Sequence, residues 1–269
     1  MRVMKSKIIL YILLLSNLFS ETLFEGNFGD DLKNLVIANY KPSSTLGYNT
    51  ARDTMYLRVD RINGEIKGVY TNYAVNLPDG VDPSTHIYNN GSNNGLNCEH
   101  VWPQSLGSGQ EPQKSDMHHM RPCKSNVNTV RGNKPFGESN DSQTDAWYWL
   151  SYQNSNIPSS NINEYSESNS FNFEPREDRK GDIARSIFYF YTMYENVANS
   201  NFFESQKNDL FNWNFTDAPD TYEINRTWLI APYQQNKPNP FVVDPTLVDR
   251  IYFWEDILIG DVNVDHFLD

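Results

Sequence analysis

Asn97–Ser108 reads NCEHVWPQSLGS, and Lys114–Asn133 reads KSDMHHMRPCKSNVNTVRGN. The first stretch sets a carboxylate, Glu99, against an imidazole, His100, with the apolar Val101-Trp102-Pro103 beyond it. In the second, Pro122 permits helix only after itself and Ser125 is a reasonable N-cap, so the pattern predicts a short helix over Ser125–Arg131. On such a helix Asn128 and Arg131, three apart, share a face, while Asn126 points elsewhere. An apolar flank beside a carboxylate can hold an imidazole neutral and oriented, as a general base requires. Strand alternation is the obstacle. Successive side chains leave opposite faces, so Glu99 and His100 can serve one site only where the strand ends or bulges.

Glu99 offers hard carboxylate oxygens and Asn128 a neutral amide oxygen. Magnesium takes few protein oxygens, several waters and a substrate phosphate oxygen. One carboxylate and one amide make a poor cage for a structural ion but a good open site for an ion that also grips phosphate. The competing reading is a set of surface polar residues without chemistry. Four Cys/His ligands at zinc spacing are absent, which argues against a structural zinc site.

The bulk numbers narrow the class. A chain of 269 residues suffices for one large domain. Its formal charge of -12 argues against a broad basic surface, although phosphate contact needs only a few local cations. A mean hydropathy of -0.64 excludes a polytopic membrane protein. The amino terminus, MRVMKSKIILYILLLSNLFSETLFEG, has cations at Arg2, Lys5 and Lys7 and then an apolar run from Ile8 to Leu15. Ser20 is the expected last residue before cleavage, so residues 1–20 read as a signal peptide and 21–269 as the working domain. An uncleaved anchor is the alternative, but the run is about half the roughly 20 residues a span needs. A secreted or periplasmic protein is expected, with no stable membrane association after processing and no protein partner implied. Cys98 and Cys123 are the two cysteines. In an exported protein such a pair can be a disulfide, and the alternative is two reduced thiols.

Elsewhere, DLKNLVIAN (31–39) predicts a helix with Leu32, Leu35 and Val36 on one face and Asp30 or Asp31 as cap. TMYLRVDRINGEIKGVYTNYAV (54–75) reads as two strands around Asn63-Gly64. Residues 76–97 read as loop. GDIARSIFYFYTMYENVANS (181–200) predicts the strongest helix, capped by Asp182, with Ile183, Ile187, Tyr191, Tyr194 and Ala198 as its core stripe. With no internal repeat and no long biased linker, the chain reads as one α+β domain.

NCEHVWPQS, KSDMHHMRP and NVNTVRGNKPFG, in this order, resemble the endonuclease I family of secreted and periplasmic nucleases, whose active site is a ββα-metal (His-Me) finger. The likeness continues through FEPREDRKGDIARSIFYFYTMYENV and EINRTWLIAPYQQNKPNPFVVDP, and so spans roughly residues 30 to 245. The resemblance implies a β-hairpin and helix packed among other helices, with His100 as general base and Glu99 and Asn128 as metal ligands. It implies hydrolysis of DNA, and often of RNA, with little sequence preference. The expected cation is Mg2+, with Mn2+ or Ca2+ as alternatives. Lys114, Arg121 and Arg131 are the nearby candidates for phosphate contact, each with a structural ion pair as the rival role. Asp116 and His118 match family positions and are expected to orient the finger by hydrogen bonds, while His119 packs. Arg185 either faces the site or forms an internal ion pair. Two readings compete with the nuclease. One is a non-catalytic nucleic-acid-binding protein on the same fold. The other, ranked third, is a glycan hydrolase using paired carboxylates.

Overall fold

A computed structural model describes residues 22–92 and 94–255, so the expected signal peptide lies outside the described residues. Helix α1 (Gly29–Tyr40) buries Leu32 and Val36. Its N-cap is Phe28 rather than an aspartate; Asp30 and Asp31 lie in the first turn, where they face the positive end of the helix dipole. Helix α2 (Tyr48–Thr54) runs on into a π-helical segment, Met55–Val59. The sequence reading placed a strand there. Met55, Tyr56 and Val59 are all buried, and their spacing suits a helical face better than a two-residue alternation.

The hairpin around Asn63-Gly64 survives in shorter form as β1 (Arg61–Ile62) and β2 (Glu65–Lys67), joined by β3 (Ala74–Asn76) in the order β1-β2-β3. Both turn residues have positive φ, 52° and 83°, as a tight hairpin turn requires. The segment expected to be loop holds α3 (Pro83–Asn89), which starts with Pro83 and is capped by Asp82, whose carboxylate accepts from the Thr85 amide at 2.7 Å.

At the centre lie β4 (Leu96–His100) and β5 (Met120–Lys124), antiparallel, with Glu99 opposite Arg121 and His100 opposite Met120. Helix α4 (Ser125–Arg131) follows directly, with Lys124 rather than Ser125 at the N-cap. A four-stranded antiparallel sheet comes next, β6 (Ala146–Trp149), β7 (Tyr152–Asn154), β8 (Ser166–Ser168) and β9 (Phe173–Glu174), in the order β7-β6-β8-β9. Helix α5 (Lys180–Tyr194) is buried at every position, and α6 (Ser200–Glu204), α7 (Lys207–Thr216), α8 (Thr221–Ile230), α9 (Pro240–Val243) and α10 (Leu247–Tyr252) complete the α+β domain. Asp182 sits inside the first turn of α5 instead of capping it, and Ala198 lies past its end.

The central hairpin divides two apolar clusters. Cys123 belongs to the larger one around α5, while Leu96 and Met120 belong to the smaller one with Met55, Tyr56 and Ile230. This division decides the fate of the two cysteines, which are free thiols, contrary to the bridge weighed above. Cys98 lies opposite Pro122 and Cys123 opposite Asn97, so their side chains leave opposite faces of the hairpin, one toward each cluster. Among the described residues no helix is long and apolar enough to cross a membrane.

Candidate active site

His100 is the last residue of β4 and is 5% exposed. Its Nε2 lies 2.9 Å from the Lys114 carbonyl oxygen, which can only accept, so Nε2 carries the proton and Nδ1 is the basic nitrogen. Gln104 Nε2 donates to that Nδ1 at 3.2 Å. The ring packs between those of Tyr48 and His119, with centroids 5.5 Å and 5.4 Å away. Burial, reinforced by His119 and Arg131 and opposed by the hydrogen bond to the Lys114 carbonyl, pushes its pKa down to about 3, so the imidazole is neutral at neutral pH. Beyond His100 the chain is fixed by Trp102, which stacks on Phe190 and donates its indole N–H to the Leu106 carbonyl at 2.9 Å.

The segment that presents the Lys114 carbonyl is itself pinned. Asp116 Oδ2 accepts from the Tyr189 and Tyr194 hydroxyls, each at 2.7 Å, and its Oδ1 accepts from Gln234 Nε2 and the His118 amide. His118 donates to the Lys237 carbonyl, and burial lowers its pKa to about 4. His119 donates to the Gln113 carbonyl and packs edge-on against Phe190. Hydrogen bonds and packing thus hold these three residues in place beside His100.

Glu99 leaves the other face of the strand. Pairing is regular through His100, and β4 ends there without a bulge, so the two side chains approach each other only around the strand end. The buried Glu99 accepts from the Tyr70 hydroxyl at 2.7 Å and lies 3.2 Å from Arg131 Nη1. Burial raises its pKa, opposed by Arg131 and Tyr70. Arg131 also donates to the carbonyls of His100 (3.2 Å) and Val101 (2.7 Å) and lies over the Phe136 ring. One turn earlier, Asn128 donates through Nδ2 to Asn97 Oδ1 at 2.9 Å and to the Cys98 carbonyl at 3.1 Å. Asn128 and Arg131 therefore share the strand-facing side of α4.

Glu99 and Asn128 thus lie on the α4 side of the strand, and the His100 ring lies on the other. With both Asn128 N–H groups given to the strand, its amide oxygen is left as an acceptor, and Glu99 keeps one oxygen outside the contact with Tyr70 and Arg131. That donor set fits a hard, oxygen-seeking cation that retains most of its waters. Among the described residues no three His, Cys, Asp or Glu side chains gather as a metal cage.

Of the three cations weighed for phosphate contact, Lys114 lies on the His100 side, with its ammonium 4.8 Å from the Tyr48 ring centroid. Arg131 is buried against Glu99, and Arg121 is buried with Ser186 and Asp182 as its neighbours. Arg185 forms an internal ion pair with Glu223 at 2.6 Å. Tyr48 and Arg52, the latter 5.2 Å from the Tyr48 ring centroid, were not singled out from the sequence. They come from α2, about fifty residues before His100, and no motif marks them.

The family model of endonuclease I matches residues 28–246. The chain is 27% identical to an extracellular ribonuclease of Bacillus subtilis (strain 168) over 248 residues, covering 85% of this chain and 76% of that protein. It is 30% identical to an extracellular ribonuclease of Bacillus amyloliquefaciens over 182 residues, 61% of this chain and 56% of that protein. The family match takes in the hairpin, α4 and the helices that hold them, and on that extent the chain belongs to the endonuclease I family.

Proposed function

We propose that the protein is a secreted, metal-dependent endonuclease that hydrolyses phosphodiester bonds of DNA and RNA with little sequence preference. The observation that carries this reading is His100, a neutral imidazole whose Nε2 proton is fixed on a main-chain carbonyl, leaving Nδ1 as the base. RNA is included because two relatives are named ribonucleases, and secretion is supported by their being named extracellular and by the amino-terminal pattern.

In the reaction, His100 Nδ1 takes a proton from water as the water oxygen bonds to phosphorus, and the Gln104 amide must turn away from Nδ1 to admit that water. The P–O3′ bond breaks, the 3′ oxygen leaves and gains a proton, and a 5′-phosphate end remains. Glu99 and Asn128 would hold Mg2+, or Mn2+ or Ca2+ in its place, and a bound ion supplies positive charge at the phosphoryl group and the leaving oxygen. Lys114 and Arg52 offset the charge of the phosphate on the Tyr48 side. Arg131 acts indirectly, by fixing the carbonyls of His100 and Val101 and the carboxylate of Glu99.

The test incubates purified protein with plasmid DNA and with RNA, with Mg2+ and with chelator. Wild type should cut both in Mg2+ and neither in chelator. His100→Ala should lose about 10²-fold or more in rate, the usual contribution of a general base, with an unchanged circular-dichroism spectrum. A His100→Ala protein that cuts at the wild-type rate rejects the mechanism. Retention of nucleic acid without cleavage under every cation identifies the non-catalytic alternative.

A further inference from the structure

A cavity of about 270 Å³ opens between β2, β5 and the start of α5, and its lining includes Lys67, Arg121, Arg176, Arg179, Asp182 and Tyr222. His100, Glu99 and Asn128 do not line it. Its neighbourhood is crowded with arginines, and nearly all are matched. Arg185 lies 2.6 Å from Glu223, Arg226 2.7 Å from Asp60 and Arg176 2.6 Å from Glu164. Arg179 donates to the Asp178 carbonyl at 2.6 Å and has the carboxylates of Asp178 and Asp220 at 3.7 Å and 3.8 Å.

Arg121 is the exception. It is 4% exposed, its Nη2 has only Ser186 Oγ at 3.4 Å and Asp182 Oδ2 at 4.0 Å, and its Nε and Nη1 are buried without a partner. Asp182 Oδ2 is likewise buried and unpartnered. A buried guanidinium with two idle donors is costly unless something completes it. The missing partner has to accept from Arg121 and also donate to Asp182.

We propose that this cavity binds inorganic phosphate or the phosphate-monoester end of a small ligand, held by Arg121 and Arg179 and donating its P–OH to Asp182. Near neutral pH a phosphate or monoester presents both P–O⁻ acceptors and, in part of its population, a P–OH donor. Sulfate is fully ionised there and has no proton for Asp182, and a phosphodiester has none either. The site therefore selects for the protonated oxyanion and against the backbone of a nucleic-acid chain. It does not depend on the nuclease reading, since His100, Glu99 and Asn128 do not line the cavity, although Arg121 stands opposite Glu99 in the β4–β5 ladder.

Calorimetric titration at pH 6.5 and constant ionic strength tests this, with inorganic phosphate, sulfate, a nucleoside 5′-monophosphate and dimethyl phosphate as probes. Phosphate should bind about tenfold or more tightly than sulfate or dimethyl phosphate, the worth of one charge-assisted hydrogen bond. Binding of the monophosphate shows that the cavity admits an ester, and its exclusion assigns the site to the free ion. Arg121→Gln should abolish binding, and because it changes a buried charge, Arg179→Gln, nearer the surface, should weaken binding at least about tenfold in a folded protein. Asp182→Asn, which replaces an acceptor with an amide that can donate, should shift preference toward sulfate. His100→Ala should leave phosphate affinity unchanged. Equal affinity for phosphate, sulfate and the diester, or binding lost in His100→Ala and retained in Arg179→Gln, overturns the proposal.

Discussion

At the residue scale, the contact that defines His100 is with a main-chain carbonyl rather than with the adjacent acid. Lys114 supplies that carbonyl, and Glu99 is turned to the far face of the strand to meet Tyr70 and Arg131. The two residues accordingly titrate in opposite directions. Burial lowers the pKa of His100 from 6.5 to about 3, so protonation does not remove the base until the medium is strongly acidic. Burial raises the pKa of Glu99 above 4.5, so its charge is lost earlier as pH falls. The acid limb of kcat/KM, which reports the free enzyme, should therefore belong to Glu99 and not to His100. If Glu99 holds the cation, raising Mg2+ should move that limb to lower pH, because the cation competes with the proton. A limb near 6.5 that ignores Mg2+ would return the titration to His100.

At the scale of elements, α4 was legible because Pro122 permits helix only after itself and a three-residue spacing suits one helical face, whereas the hairpin of β4 with β5 was expected only from the family resemblance. The placement of Asn128 and Arg131 on one helical face follows from that spacing alone. Other elements were not legible. The π-helical Met55–Val59 carries β-rich residues whose helical form is imposed by packing into the smaller apolar cluster, and α3 is short and hidden in an Asn/Gly-rich segment. Tyr48 reaches His100, and Arg52 reaches Tyr48, only through tertiary folding. The start of α5 is a further case, since Gly181 fits a contact that no pattern announces. A Cβ there would lie 1.9 Å from the Asp217 carbonyl oxygen and 2.6 Å from Arg185 Nη2. Gly181→Ala should cost about 1–3 kcal/mol, the range for overpacking, although alanine is the better helix former. Urea denaturation should show a lower midpoint at constant m-value; an unchanged or raised midpoint would mean that α5 shifts freely, contrary to its complete burial.

At the scale of the whole molecule, the fold packs a strongly acidic chain around a site meant for a polyanion. The full chain carries a formal charge of -12, and the cations on the His100 side are the half-buried Lys114 and Arg52. Long-range repulsion and short-range attraction therefore act against each other on an approaching nucleic acid, and salt affects them at different distances. The Debye length falls from about 30 Å at 0.01 M to about 10 Å at 0.1 M, so added salt first screens the repulsion between the acidic molecule and its substrate. Each phosphate neutralised at the site contributes a slope of about -0.7 for single strands or -0.9 for duplex in a plot of log affinity against log salt. Two such cations predict a slope no steeper than about -2. With divalent cation held saturating, kcat/KM should therefore rise or stay level as NaCl increases from about 0.01 M to 0.1 M, and then fall gently. A monotonic loss with a slope near -5 across that range would require a broad basic contact surface, and would contradict the assignment of substrate charge to the residues around His100.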